Sequence, residues 1–385
     1  MRLLVIFLFS FVIAGCNSLP RQVPIVKEKT PVNFAGFAYL GRHKQIKSNY
    51  YYSYQYDQMG KPGSAIERDL NKAMAKAQPV GLDIQRGLAV LDDSALSLVF
   101  AIERENITSE RTRNTYKTMV ELGGQAMFFN MKNMTIIASF PINYRKNFAY
   151  DHKPTDKDKI KAIASVYQSE FGGPLNVFIE RINSVRINEL DGNTFQVTKV
   201  MINSKAKNEL PKNKARIVDS LLAQSFSKYL AANQNVPMIP FVKGYTVGNK
   251  IPGRFADGRV FNLSLPDADY QIELNLKAFK KKLFSQNNVE KAYRYGTIIG
   301  MSFKEPVSGS VYLESDFVST TTKVVPVTQN NIEDWPVYRT AVELLFHEFT
   351  TELSSPSKRW VKDHAFAKDA RAQMKTLKKK MELSR

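Results

Sequence analysis

This chain has one thiol with which to do chemistry. Cys16, in the stretch FVIAGCNSLP, is the single cysteine among 385 residues. It cannot form an intrachain disulfide or build a cysteine-rich zinc site. The thiol follows a run from Leu3 to Ala14 that is apolar apart from Ser10. That run of about 12 residues is too short to cross a bilayer core, which needs about 20. Arg2 precedes the run and small residues close it, the layout of a cleaved export signal.

Other reactive residue types lack the spacing that chemistry needs. His43, His152, His347 and His364 lie far apart, and HEFTTE at 347–352 lacks the second histidine of a zinc-protease helix. There is no G-x-S-x-G elbow, P-loop or G-x-G-x-x-G. The S-x-x-K matches SFSK at 225 and SPSK at 355 stand without S-D-N or K-T-G companions, so chance accounts for both. LPDAD at 265–269 concentrates two carboxylates but lacks the ligand ladder of an EF-hand. No catalytic residue, metal ligand or cofactor is assigned, and a non-enzymatic role is expected.

The export run ends Ile13-Ala14-Gly15-Cys16. This resembles the lipobox of bacterial lipoproteins: an aliphatic residue, Ala or Ser, Gly or Ala, then Cys, with Ile13 here replacing the commoner Leu. The resemblance covers the signal segment only; no family is recognised for residues 17 to 385. It implies a diacylglycerol on the Cys16 sulfur, cleavage before Cys16 and acylation of the new amino group. Two or three acyl chains anchor stably where one is marginal, so the resemblance implies a chain tethered to a membrane through Cys16. In the Gram-negative scheme an Asp after the Cys favours the inner membrane. Asn17 stands there, which implies the outer membrane, on its periplasmic or surface side.

Two features suggest binding. Tyr50, Tyr52, Tyr54 and Tyr56 recur at period two, and in a strand they would line one face. Such a row could stack on the sugar rings of a glycan or contact a partner, although aromatic rows also pack sheets. The 30 residues from Pro356 carry ten Lys and Arg against three Asp and Glu. Phe366, Ala370, Met374, Leu377 and Met381 give this tail one apolar helical stripe. Lys375, Lys378, Lys379 and Lys380 are its candidate contacts to an anionic surface. The whole chain, at 55 Lys and Arg against 36 Asp and Glu, carries +19, which draws it to phospholipid, lipopolysaccharide or acidic cell-wall polymer. Nucleic acid is not an expected partner of an exported chain.

The elements that must position these residues read as an α+β fold of antiparallel β-meanders with packed helices, in two domains, plus a basic C-terminal helix. NSLPRQVPIVKEKTPVN, with three prolines and no sustained period, reads as a tether. SAIE at 64–67 is a capping-box pattern opening a helix to about 77. Residues 95–145 read as a meander of four strands, with Gly123-Gly124 as a turn or bulge. Helical periodicity follows over 160–171 and 175–182, then the strand TFQVTKVMI. Beyond the Lys-rich NSKAKNELPKNK come a helix from Val218, a hairpin about Asp257-Gly258 and an alternating strand in ADYQIELNLKAF. A helix capped by Asp334 runs to about Leu353. The resulting division is 1–15 signal, 16–33 lipidated tether, 34–205 N-terminal domain, 206–355 C-terminal domain and 356–385 basic tail.

The function expected from these features is a lipid-anchored binding or assembly factor of the cell envelope, contacting a protein complex, peptidoglycan or an anionic surface. One rival is the substrate-binding lipoprotein of an importer, disfavoured because antiparallel meanders replace repeated βαβ units. The other is a cell-wall glycan hydrolase working through carboxylates that spacing does not reveal.

Overall fold

The computed structural model describes residues 29–86, 96–112, 115–185, 192–210, 218–241, 249–329 and 332–382. The signal segment, Cys16 and most of the tether lie outside the described residues. The fold is α+β, as the patterning predicts.

Its first half opens with β1 (Thr30–Leu40), then α1 (Ile46–Asn49), α2 (Tyr51–Gln58) and α3 (Ala65–Met74). The short β2 (Leu82–Gln85) leads to three long strands, β3 (Leu96–Thr112), β4 (Thr115–Asn130) and β5 (Thr135–Tyr150), and then to α4 (Asp156–Tyr167) and α5 (Pro174–Ser184). Ser64 caps α3 by accepting from Glu67 N, as the sequence pattern requires.

The second half repeats the plan. It runs β6 (Phe195–Ile202), α6 (Ser204–Lys207), α7 (Val218–Gln234) and the two-residue β7 (Met238–Ile239). An added hairpin, β8 (Lys250–Phe255) and β9 (Val260–Ser264), precedes the long strands β10 (Tyr270–Gln286), β11 (Glu290–Glu305) and β12 (Ser310–Pro326). Helices α8 (Trp335–Glu352), α9 (Lys358–His364) and α10 (Ala370–Glu382) close the chain.

The correspondence extends to pairing. β1 runs parallel to β2 and β3, and β6 runs parallel to β7 and β10. Both long meanders are antiparallel. Thr115 and Thr135 open β4 and β5, while Glu290 and Ser310 open β11 and β12, both 175 positions later. The body is therefore built from two copies of one β-strand, helix, short strand, meander, helix unit. Sequence reading did not find this repeat, because the pattern lies in topology and strand length.

The two units share a 12-stranded sheet ordered β12-β11-β10-β6-β7-β5-β4-β3-β1-β8-β9, with β2 beside β1. They join where β7 pairs parallel with β6 and antiparallel with β5. Since β5 and β7 would be parallel in a simple continuation, the antiparallel pairing turns the second unit over. Its helices fall on the face that the first unit's helices leave free.

Packing follows from that inversion. On the front of the first unit Leu98, Phe100, Phe128 and Phe140 are buried with α3 and α5, and Phe100 meets Phe178 at 5.2 Å between ring centroids. At one end of its back, Val99, Ala101, Met127 and Phe129 are covered by Ile251, Phe261 and Leu263 of β8 and β9. Gly258, at φ +96°, makes the hairpin turn expected at Asp257-Gly258. In the second unit Phe226 of α7 packs edge-on against Phe303 and Phe346, and Phe349 against Phe317.

Four sequence expectations are corrected. Tyr50 to Tyr56 lie in the α1–α2 helical segment, not on a strand, and Tyr54 N bonds Tyr50 O at 2.7 Å. The cause is a distant carboxylate: Glu105 on β3 accepts from Tyr52 N (2.9 Å) and Ser53 N (2.7 Å), satisfying the start of α2. The four-strand meander is three strands, because 115–130 is continuous through Gly123-Gly124. The basic tail is two helices, and Phe366 between them is exposed. Asp334 makes no side-chain cap on α8; its carboxylate accepts from Tyr295 (2.6 Å) and Lys281 (2.8 Å).

Phe226 is fully buried where α7, α8 and β11 meet. Phe226→Ala is expected to cost about 3–5 kcal/mol in urea unfolding, the range for a truncated core aromatic.

Candidate functional site

The far end of the first unit's back face is not apolar. β3 carries a bulge at Glu103, since Ile102 pairs with Gly124 and Arg104 with Gly123. Beyond it Arg104 and Asn106, with Glu121 on β4 and Asn143 and Arg145 on β5, face the second unit. α7 offers Gln224, Ser225, Lys228 and Tyr229 in return, and α8 offers Arg339 and Glu343. This charged crevice between the units is the candidate site.

Glu121 is its centre. Its carboxylate accepts from Arg145 Nε at 2.8 Å, from Arg339 Nη1 and from Asn106 Nδ2 at 2.8 Å. Arg145 and Arg339 also share Glu343, at 2.7 and 3.0 Å. Burial works to raise the Glu121 carboxyl, but the guanidiniums of Arg339, Arg104 and Arg145 overcome it and hold the group at about 2. So acidic a carboxylate cannot act as a base at neutral pH.

Arg104 is placed by absence of a side chain opposite. A Cβ on Gly123 would lie 3.2 Å from its Nε and Nη2. Nε donates to Gln224 Oε1 (2.9 Å) and Nη2 to Asn143 Oδ1 (3.1 Å), whereas the enclosed Nη1 has no acceptor among the described residues. Burial lowers the Arg104 pKa. Beside it, burial pushes Glu103 up to about 7 despite a 3.0 Å bond from Gln125. Lys228 is lowered chiefly by burial; Glu343 opposes this, and Arg145 and Arg339 add smaller lowering effects.

Two cavities open in the crevice and share Glu121 and Arg339. One of about 150 Å³ lies between β5 and α7. The other, about 610 Å³, reaches from Met119 and Leu221 to Trp335 at the start of α8. Along its lining a hydrogen bond with Glu110, and then burial, push Glu333 up to about 7.

The residues singled out in the sequence do not converge on this site. Cys16 lies outside the described residues. The tyrosines part ways: Tyr50 donates to Leu40 O at 2.5 Å, Tyr52 to Asp156 at 2.9 Å, Tyr54 leans on Tyr39, and Tyr56 donates to Asp69 and stacks on Tyr167. They pack the first unit's helices and form no common platform. In α10 Met374, Leu377 and Met381 are buried against the body. Lys378 reaches Gln234 (3.2 Å) and Lys380 lies over the Tyr312 ring, while Lys375 and Lys379 stay exposed. The histidines remain apart, and among the described residues no three His, Cys, Asp or Glu could hold a metal together.

Sequence reasoning missed the crevice but held one trace of it. SFSK at 225–228 puts Ser225 and Lys228 one turn apart on α7, and both line the smaller cavity. Among the described residues no hydrogen bond joins them, so the pair is not set up as nucleophile and base.

No family model and no curated protein matches this chain. Among solved structures it is similar to a minor lipoprotein from Acinetobacter baumannii (12% identity, TM-score 0.23), with 42% of this chain and 91% of that one covered. A hypothetical protein from Chlamydia trachomatis matches at 8% identity and TM-score 0.26, covering 44% and 98%. A putative neuraminyllactose-binding hemagglutinin homolog from Helicobacter pylori matches at 12% and 0.23, covering 44% and 87%. Similarity at this level carries no argument about this chain's function.

The carboxylates of the crevice predict opposite pH behaviour. Glu121, depressed in the fold, stabilises above its unfolded pKa of about 4.3, and that stability is lost as pH falls through about 2. Glu121→Gln is expected to lose at least about 3 kcal/mol at pH 7, with the gap to the parent narrowing in acid unfolding curves. Glu103, raised in the fold, destabilises progressively as pH rises from about 4.3 to about 7. Glu103→Gln is expected to gain about 3 kcal/mol at alkaline pH and nothing near pH 4.

Proposed function

We propose that this chain is a lipid-anchored, non-enzymatic binding factor of a bacterial cell envelope, held at the outer membrane by acyl chains on Cys16. The observation that carries the reading is the single cysteine at the end of Ile13-Ala14-Gly15-Cys16, directly behind a short apolar export run. A tether of Pro-containing, mixed-charge sequence then separates the anchor from the folded units. Among the described residues no helix is long and apolar enough to cross a membrane.

A binding role rather than a reaction is supported by how the crevice spends its charges. Glu121 and Glu343 are each held by two arginines, which fixes the joint between the units and leaves neither carboxylate free to move a proton. The net charge of +19 favours anionic envelope partners: membrane surface, cell-wall polymer or an acidic face of a protein complex.

Cys16→Ser is the decisive variant. It is expected to move the protein from the membrane pellet to the soluble fraction and to abolish labelling by radioactive fatty acid. Unchanged fractionation with labelling retained would sink the anchor. Capture of the anchored chain on insoluble peptidoglycan, weakening at high salt, would identify the polymer as the partner; retention by membrane protein extracts instead would identify a complex.

A further inference from the structure

We propose that the smaller crevice cavity is a binding site for a phosphate-class oxyanion, walled by Arg145, Lys228, Tyr229 and Ser225 above Arg104. Its charge does not balance. Arg104, Arg145, Lys228 and Arg339 line it against only Glu121 and Glu343. Both carboxylates are taken up by Arg145 and Arg339. Arg104 is left with two neutral amide oxygens as acceptors, and Lys228 with the Tyr229 ring, 5.2 Å from its Nζ.

Two cations in a recessed, weakly solvated place, whose neighbouring carboxylates Glu121 and Glu343 are already ion-paired to Arg145 and Arg339, are costly, because burial removes hydration and no carboxylate contact replaces it. A dianion supplies both missing charges at once. The donors around it are of the right kind: an ammonium, guanidiniums and two hydroxyls, from Tyr229 and Ser225. A monocarboxylate would leave one cation uncompensated. At about 150 Å³ the cavity takes a phosphate group or the phosphomonoester end of a headgroup, and is below the size of pockets for drug-sized ligands. The site does not depend on acylation of Cys16, so either proposal can fail alone.

The test uses the full chain with inorganic phosphate as probe. Its thermal unfolding midpoint is followed in sodium phosphate and in sodium chloride of equal ionic strength, with phosphorus NMR line broadening as a direct readout. A saturable rise in phosphate alone is expected. Lys228→Gln should weaken phosphate binding on the order of tenfold. In chloride the same variant should be more stable than the parent, since it removes an uncompensated cation; a lysine kept only for structure would give the reverse. Equal midpoints in phosphate and chloride, or an identical phosphate response in parent and Lys228→Gln, would overturn the site. A soluble short-chain phosphatidic acid separates the sources: tighter binding than inorganic phosphate assigns the cavity to a lipid headgroup, and equal or weaker binding to the free anion.

Discussion

The body depends on one buried carboxylate. Glu121 sits on the first unit's sheet, and the guanidinium of Arg339 that grips it comes from α8 of the second unit. Arg145, from the neighbouring strand, holds Glu121 with one nitrogen and Glu343 of α8 with another. The pairings bridge sheet and helix in both directions. A buried ion pair is often no better than apolar contacts of the same volume, but it is far more exacting about position. Here the exacting contact lies where two similar units must meet in a single register. The apolar surfaces elsewhere would tolerate sliding more readily.

That demand arises from the way the repeat is assembled. Two units side by side with their helices on one face would bury each sheet once. Turning the second unit over puts α7 and α8 over the first unit's exposed back, so α7 is buried nearly all round. One side of α7 presents Phe226 to Phe303 and Phe346, and the other presents Gln224, Ser225 and Lys228 to a polar sheet face. Its apolar periodicity is correspondingly weak, because the residues that break it are also interior. Among the described residues the second unit's outer sheet face has no such cover, and it carries surface pairs such as Lys277 with Asp316 and Lys304 with Glu273.

Local patterns made the elements legible and left the site hidden. Ser64 with Glu67, Asp257-Gly258 and the alternation in β10 all act over a few residues, and each predicted its element. The tyrosine segment misled because its helix is started by Glu105, 53 positions from Tyr52, and no local signal encodes that bond. Period two in a single residue type was mistaken for period two in burial; Tyr50 and Tyr56 are buried, Tyr52 and Tyr54 are half-buried, and Tyr51, between them in the chain, is exposed. The crevice was invisible for the same reason on a larger scale. Arg104, Glu121, Arg145, Lys228, Arg339 and Glu343 come from five elements, and each alone reads as an ordinary surface charge. What could have been read was the repeat, through the equal spacing of the two long meanders.

The bulge in β3 shows how little sequence separates the core from the site. Up to Ile102 the even-numbered residues Leu98, Phe100 and Ile102 face the first unit's helices, and the odd-numbered Val99 and Ala101 face the other way. After Glu103 the parity reverses, with Ile107 packed on the front while Arg104 and Asn106 point into the crevice. One extra residue therefore sends a guanidinium to the back of the sheet instead of into the Phe100 and Phe178 core. Gly123 across the ladder leaves the space that the guanidinium occupies. The bulge, the glycine and the arginine thus form one device, and its effect is to lay an uncompensated positive charge along the seam between the two units.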